Sequence, residues 1–196
     1  MKVPIVLIRK FLSKPKLLRF YVLARENGKD RAGYFKGYLG YPKSTYYRLL
    51  KEAEKFGLIH RGKIISFAGR KLPVSDFFLK DDKTFQVYLF VALGRIHAEK
   101  EERKSYYTDR HGVRTANRSK TSGLAVNESE VSVSYLSKMT GLSVGKVVEL
   151  KKLAQKYKIL DVRQRRIISP EGIFSKKGGY CYLQATDILT FKVKLK

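Results

Sequence analysis

The chain has 196 residues, 42 of them Lys or Arg against 17 Asp or Glu, for a formal net charge of +25 at pH 7. Hydrophobic residues make up 43%, with 13 Tyr and 11 Phe, enough apolar material for one compact domain or two small ones and too much for wholesale disorder. The single cysteine, Cys181, excludes an internal disulfide and a multi-cysteine zinc site, and a charge this high calls for a polyanionic partner.

From the amino terminus, the apolar run Val3 to Ile8 stops at Arg9-Lys10, and Val87 to Leu93 is only slightly longer. Neither approaches the roughly 20 residues that span a bilayer, so no membrane association is expected. No small-residue cleavage site follows the first run, and a cytoplasmic location is the expectation. A helix is predicted over Lys16 to Glu26, then a short one over about Arg31 to Leu39 ending at Gly40, whose lack of a Cβ suits a left-handed residue after a helix. Pro42 opens a longer helix in which Tyr46, Leu49, Leu50, Ala53 and Phe56 recur at three- and four-residue spacing as a buried stripe. Gly57 ends it, and Arg61-Gly62 before Ile64-Ile65 predicts a β-hairpin.

A long helix is predicted from about Thr84 to Arg103. The segment Tyr106 to Glu130, rich in Ser, Thr, Asn, Gly and charge, reads as a long loop or flexible insertion. Val133 to Thr140 predicts another short helix, Gly141 a turn, Ser143 an N-cap, and Gln164-Arg165 the turn of a second hairpin. Near the carboxyl end Phe191, Val193 and Leu195 alternate with lysines, the pattern of a half-buried strand.

These elements repeat. A shift of 101 residues lays Gly40 over Gly141, Leu49 over Leu150, Lys51 over Lys152, Ala53 over Ala154 and Lys55 over Lys156. Leu58-Ile59 then lies over Ile159-Leu160, and after two residues of slippage Lys63-Ile64-Ile65-Ser66 lies over Arg166-Ile167-Ile168-Ser169. The charge follows the same division: residues 1–80 carry +14, residues 81–130 carry +1, and residues 131–196 carry +10.

Helix, glycine turn, amphipathic helix and basic hairpin together resemble the winged helix-turn-helix family, twice in tandem. The stretch Gly40-Tyr41-Pro42-Lys43-Ser44-Thr45-Tyr46-Tyr47-Arg48 through Gly57-Leu58-Ile59 carries the resemblance best. The second copy resembles it through Tyr135 to Ser143 but has Lys158 where the first has Gly57. The resemblance covers about two thirds of the chain. It implies an α+β, mainly helical fold, with tandem winged helix-turn-helix domains and short β-hairpin wings. The first domain would span residues 1–80 and the second residues 81–196, with the polar insertion at about 105–130.

In such domains the second helix of the motif enters the major groove and its early residues meet base edges. The resemblance therefore assigns double-stranded DNA as partner, with Lys43, Ser44, Thr45, Tyr47, Arg48 and Lys51 facing it in the first copy. Arg48 suits bidentate contact to guanine, while Ser44 and Thr45 suit phosphate or base. Arg61 and Lys63, beside His60, form the first wing. In the second copy Ser143 and Lys146 face the duplex from a helix poorer in cations, and Glu149 would repel phosphate. The charge moves to Arg163, Arg165 and Arg166, suited to a wing that follows the backbone or enters a narrow minor groove.

Enzyme readings find little to build on. His60, His97 and His111 form no paired metal motif, and no Gly-rich phosphate loop with its lysine is present. Tyr106-Tyr107 lacks the histidine cluster of relaxases, and His111-Gly112-Val113-Arg114 lacks the rest of a tyrosine recombinase set. Asp81-Asp82 and Glu99, Glu101 and Glu102 sit among cations as a solvated, charge-paired surface. The expectation is a non-enzymatic protein with no cofactor and no metal. Three binding roles stand: a transcription regulator, a plasmid- or phage-type replication initiator, and an RNA-binding or structural protein. RNA would call for stacking aromatics on an exposed sheet, with Tyr180, Tyr182 and Phe191 as candidates. The oligomeric state stays open.

Overall fold

Pro4 and Pro15 set the first boundaries of the chain. Strand β1 (Lys2–Pro4) ends on a residue without an N–H to donate, and helix α1 (Ile5–Phe11) starts at once. Helix α2 (Pro15–Gly28) opens on proline, whose missing N–H has no partner to lose in a first turn. Next come α3 (Lys43–Lys55), the short strands β2 (Ile59–His60), β3 (Lys63–Ile64) and β4 (Lys71–Pro73), and the single-turn α4 (Asp76–Leu79). They are followed by α5 (Asp82–Lys104), β5 (Tyr106–Thr108), β6 (Arg114–Ala116), β7 (Glu128–Val131), α6 (Val133–Thr140), α7 (Val144–Lys156), β8 (Leu160–Ile168) and β9 (Tyr182–Phe191). The computed structural model describes residues 1–28, 39–104, 106–108, 114–116, 128–131, 133–168 and 182–193, with side chains placed at 1–26, 39–99, 133–163 and 189–193. The described residues form an α+β, mostly helical fold with small antiparallel sheets. No helix among them is long and apolar enough to cross a membrane.

The chain divides into two compact units, one built on Met1–Leu89 and one on Phe90–Lys194. In the first, β1 and β4 pair antiparallel, with Val3 opposite Leu72, and α1, α2 and α3 enclose an aromatic core. The Phe11 ring meets Phe56 edge-on at 5.5 Å and the Phe20 ring meets Tyr46 at 5.5 Å, geometries that satisfy the ring quadrupoles. From α3 the buried residues are Tyr46, Leu49 and Ala53, while Leu50 and Phe56 of the expected stripe are half-buried. The short helix predicted over residues 31–39 lies outside the described residues up to position 38.

The second unit is organised around β9, the middle strand of a sheet ordered β7-β9-β8. Val131 lies opposite Asp187 on one side and Leu160 opposite Phe191 on the other. Phe191 is buried, and its ring lies so close to α5 at Gly94 that a Cβ there would overlap it. Gly94 thus has a packing reason to interrupt a helix, where glycine otherwise costs about 1 kcal/mol against alanine.

Three expectations change. Gln164-Arg165 is no turn: both residues lie inside the nine-residue strand β8, opposite Asp187 and Thr186. Neither is a glycine or asparagine able to take the left-handed turn conformation cheaply, so the β8–β9 pairing is long where a short hairpin was predicted. The segment 106–130 is more than a loop, since it carries the β5–β6 hairpin, with Tyr106 opposite Ala116, and the start of β7. At the carboxyl end the strand stops at Phe191, although Lys192 stays exposed, Val193 buried, and the Lys192 N–H still donates to the Ile159 carbonyl at 3.0 Å. Leu195 lies outside the described residues.

Candidate nucleic-acid interface

Among the described residues, the glycine turn and the helix after it repeat as backbone in the two copies, hydrogen bond by hydrogen bond. Gly40 (φ 76°) and Gly141 (φ 69°) are both left-handed, as their place after a short helix predicted. The carbonyls of Pro42 and Ser143 accept from Tyr46 and Val147 at 2.9 and 3.0 Å, and each opens a 13-residue helix, α3 or α7. At the far end Leu58 N–H donates to Ala53 and Gly57 N–H to Glu54, at 2.8 and 3.0 Å. Ile159 N–H donates to Ala154 and Lys158 N–H to Gln155, at 3.1 and 2.9 Å. This crossed pair of bonds closes a helix that ends on a left-handed residue. Lys158, at φ 56°, therefore takes the conformation that Gly57 takes at φ 68°.

On α3 the buried side turns Ser44, Tyr47, Arg48 and Lys51 outward in a stripe at three- and four-residue spacing, with Lys43 at its start. All five are exposed and Thr45 is half-buried. Tyr47 is 48% exposed, its ring edge-on to Tyr46 at 5.4 Å. The hairpin that follows adds exposed His60, Arg61 and Lys63. Arg61 (φ 47°) and Gly62 (φ 72°) form a two-residue left-handed turn, with His60 opposite Lys63 across it.

The turn before α3 is anchored by a polar network that sequence reasoning did not find. The buried Tyr41 hydroxyl accepts from Arg19 Nη1 at 2.7 Å and donates to Asp82 Oδ1 at 2.9 Å. Arg19 also donates through Nε to the Leu79 carbonyl at 2.6 Å and through Nη2 to the Lys80 carbonyl at 3.0 Å. Burial raises the Tyr41 pKa well above its usual value, with Arg19 opposing the shift and Asp82 reinforcing it, so the hydroxyl keeps the proton it gives to Asp82. Lys14 ties α3 down from its other end, pairing with Glu52 at 2.6 Å with its ammonium 4.3 Å from the Phe56 ring centroid. Asp81 caps α5: its Oδ1 accepts the Thr84 N–H at 2.8 Å and its Oδ2 the Thr84 hydroxyl at 2.7 Å. These carboxylates thus serve helix starts and the Tyr41 turn. No group of three or more His, Cys, Asp or Glu that could hold a metal occurs among the described residues.

On α7 the same positions carry other chemistry. The Ser143 oxygen accepts the Lys146 N–H at 3.3 Å, the N-cap bond expected of it. Lys146 Nζ pairs with Glu149 at 3.0 Å, so part of its charge is answered within the helix. Val144 and Val148 stand 52% and 36% exposed on either side of exposed Gly145. The turn before α7 is held by Ser137 Oγ donating to the Leu142 carbonyl at 2.6 Å and Thr140 Oγ1 donating to Leu136 at 2.6 Å. Arg163 is exposed on β8. Arg165 and Arg166 lie on the same strand, opposite Thr186 and Ala185, with side chains outside the described residues. Of the aromatics suited to stacking RNA bases, Phe191 is buried and unavailable to a ligand, Tyr180 falls outside the described residues, and so does the Tyr182 side chain. His60 sits at the hairpin tip, His97 lies 5.3 Å from the Tyr135 ring, and His111 is outside the described residues. Comparison of the chain with protein-family models, curated proteins and solved structures finds no match.

Proposed function

We propose that the protein is a non-enzymatic double-stranded DNA-binding protein built from two winged helix-turn-helix units and acting as a transcription regulator. The observation that carries this reading is the exposed stripe Lys43, Ser44, Tyr47, Arg48 and Lys51 on α3. It lies on the helix that follows a left-handed glycine turn, the element that enters the major groove in such domains. The order β7-α6-α7-β8-β9, with β9 between β7 and β8, supports the reading for the second unit. There a hairpin follows the helix pair, as a wing must. Exposed Arg61 and Lys63 on the hairpin after α3, and exposed Arg163 on β8, support phosphate contact by the two hairpins.

Selection from a random duplex library tests this, followed by titration of the winner, a scrambled duplex and single-stranded and duplex RNA at 50 and 200 mM salt. The winner should bind more than about 10³-fold tighter than the scrambled duplex. With roughly 6–10 phosphate contacts its affinity should fall about 10³–10⁵-fold between the two salt concentrations. A nearly salt-independent affinity, or RNA binding as tight as the selected duplex, would sink the proposal.

A further inference from the structure

We propose that α7 reads thymine, with Val144 and Val148 packing against the C5 methyl groups of thymines in the major groove. The inference rests on the reading of α7 as a duplex-facing helix and names what that helix recognises. The two valines occupy the positions that Lys43 and Tyr47 hold on α3, on a helix of the same length opened and closed by the same hydrogen bonds. They therefore sit at the same distance from the helix start and on the same face as the candidate reading stripe of α3. One turn separates them, so their side chains form one apolar edge.

The chemistry of that edge points to a methyl group. At the start of α7 the cation that would donate to guanine, Lys146, is held by Glu149 at 3.0 Å. What the face offers instead is two valines, 52% and 36% exposed, and Gly145, around which a Cβ would meet nothing within 4 Å. Apolar side chains in the major groove discriminate through the thymine C5 methyl, and a glycine lets the helix backbone approach the base edges closely. Lys152, the counterpart of Lys51, is exposed one turn beyond Val148, where a phosphate would lie. A protein occupant fits less well: two valines beside a lysine fall far short of the roughly 800 Å² per partner of a stable interface.

Deoxyuridine substitution is the test, because it removes the methyl and leaves base pairing intact. In the selected duplex each thymine is replaced in turn, and binding of the full chain is measured together with Val144→Ala and Val148→Ala variants whose thermal unfolding matches the parent. One or two positions should lose about fourfold in affinity per methyl, and the loss should vanish in the matching variant, so that Val148→Ala binds thymine and uracil sites equally. If no position responds while salt-sensitive, sequence-specific duplex binding persists, the thymine reading is overturned and the DNA-binding reading stands. A uracil effect that survives in both variants overturns it too. So does a concentration-dependent dimer in sedimentation that Val148→Lys dissolves, since the face would then belong to a second copy. Absence of any duplex preference removes the proposed function and this inference with it.

Discussion

Helices α3 and α7 share a frame and differ in what they present. Both have 13 residues, follow a left-handed glycine and close with the same crossed hydrogen bonds. Yet α3 turns Ser44, Tyr47, Arg48 and Lys51 outward where α7 turns out Gly145, Val148, Glu149 and Lys152. The strand pairs that follow differ the other way: a two-residue turn joins β2 to β3, whereas β8 and β9 run nine and ten residues. A backbone frame set by short-range hydrogen bonds tolerates wholesale exchange of its outer residues, because those side chains contribute little to holding it.

The asymmetry between the two copies is open to direct attack. Arg48→Ala should cost about 5–150-fold in affinity and relax selection at a single guanine position, the loss of one bidentate base contact. Lys146→Ala should weaken all sequences alike and by less, since Lys146 is already paired with Glu149. Quantitative binding selections on the two variants check this, and equal, position-independent losses would erase the distinction. Glycines on α5 and α7 make a second contrast. Gly94→Ala drives a methyl into the Phe191 ring and should cost about 1–3 kcal/mol in denaturant unfolding. Gly145→Ala meets nothing and should stabilise by up to about 1 kcal/mol.

The helix closures separate next. Gly57→Ala puts a Cβ on a left-handed residue and should cost about 1–2 kcal/mol, while Lys158→Gly should relieve the same strain and gain less, because glycine also loosens the unfolded chain. Thermal melting of both variants checks the pair; a Lys158→Gly protein that loses stability would show that the two closures are held differently. Smallest is the cap. Ser143→Ala should cost about 1 kcal/mol through the Lys146 N–H left without its acceptor, and α3 has no counterpart because Pro42 makes no side-chain cap bond. Melting curves showing no change would mean solvent replaces the serine oxygen at no cost.

Much of the frame was legible. Gly40 and Gly141, the helix Val133–Thr140 and the Ser143 cap emerged where predicted, since each depends on a turn or hydrogen bond spanning five residues or fewer. Less of the candidate site was. Tyr41 read as a turn residue until Arg19 and Asp82, 22 positions before it and 41 after, were found on its hydroxyl. Gln164-Arg165 read as a turn because its strand partners, Asp187 and Thr186, lie more than 20 positions downstream. Lys146 read as a duplex-facing cation, yet its ammonium is paired with Glu149 one turn along.

Local order along the chain thus specified the glycine turns, the 13-residue helix that follows each, and the division of +25 into +14 and +10 around a nearly neutral middle. These follow from backbone preference, short hydrogen bonds and counted charge. Which strands pair with β9 and how Tyr41 is anchored came from contacts between distant positions. No local pattern encodes such contacts, because their free energy appears only once the chain has closed the loops that bring the partners together.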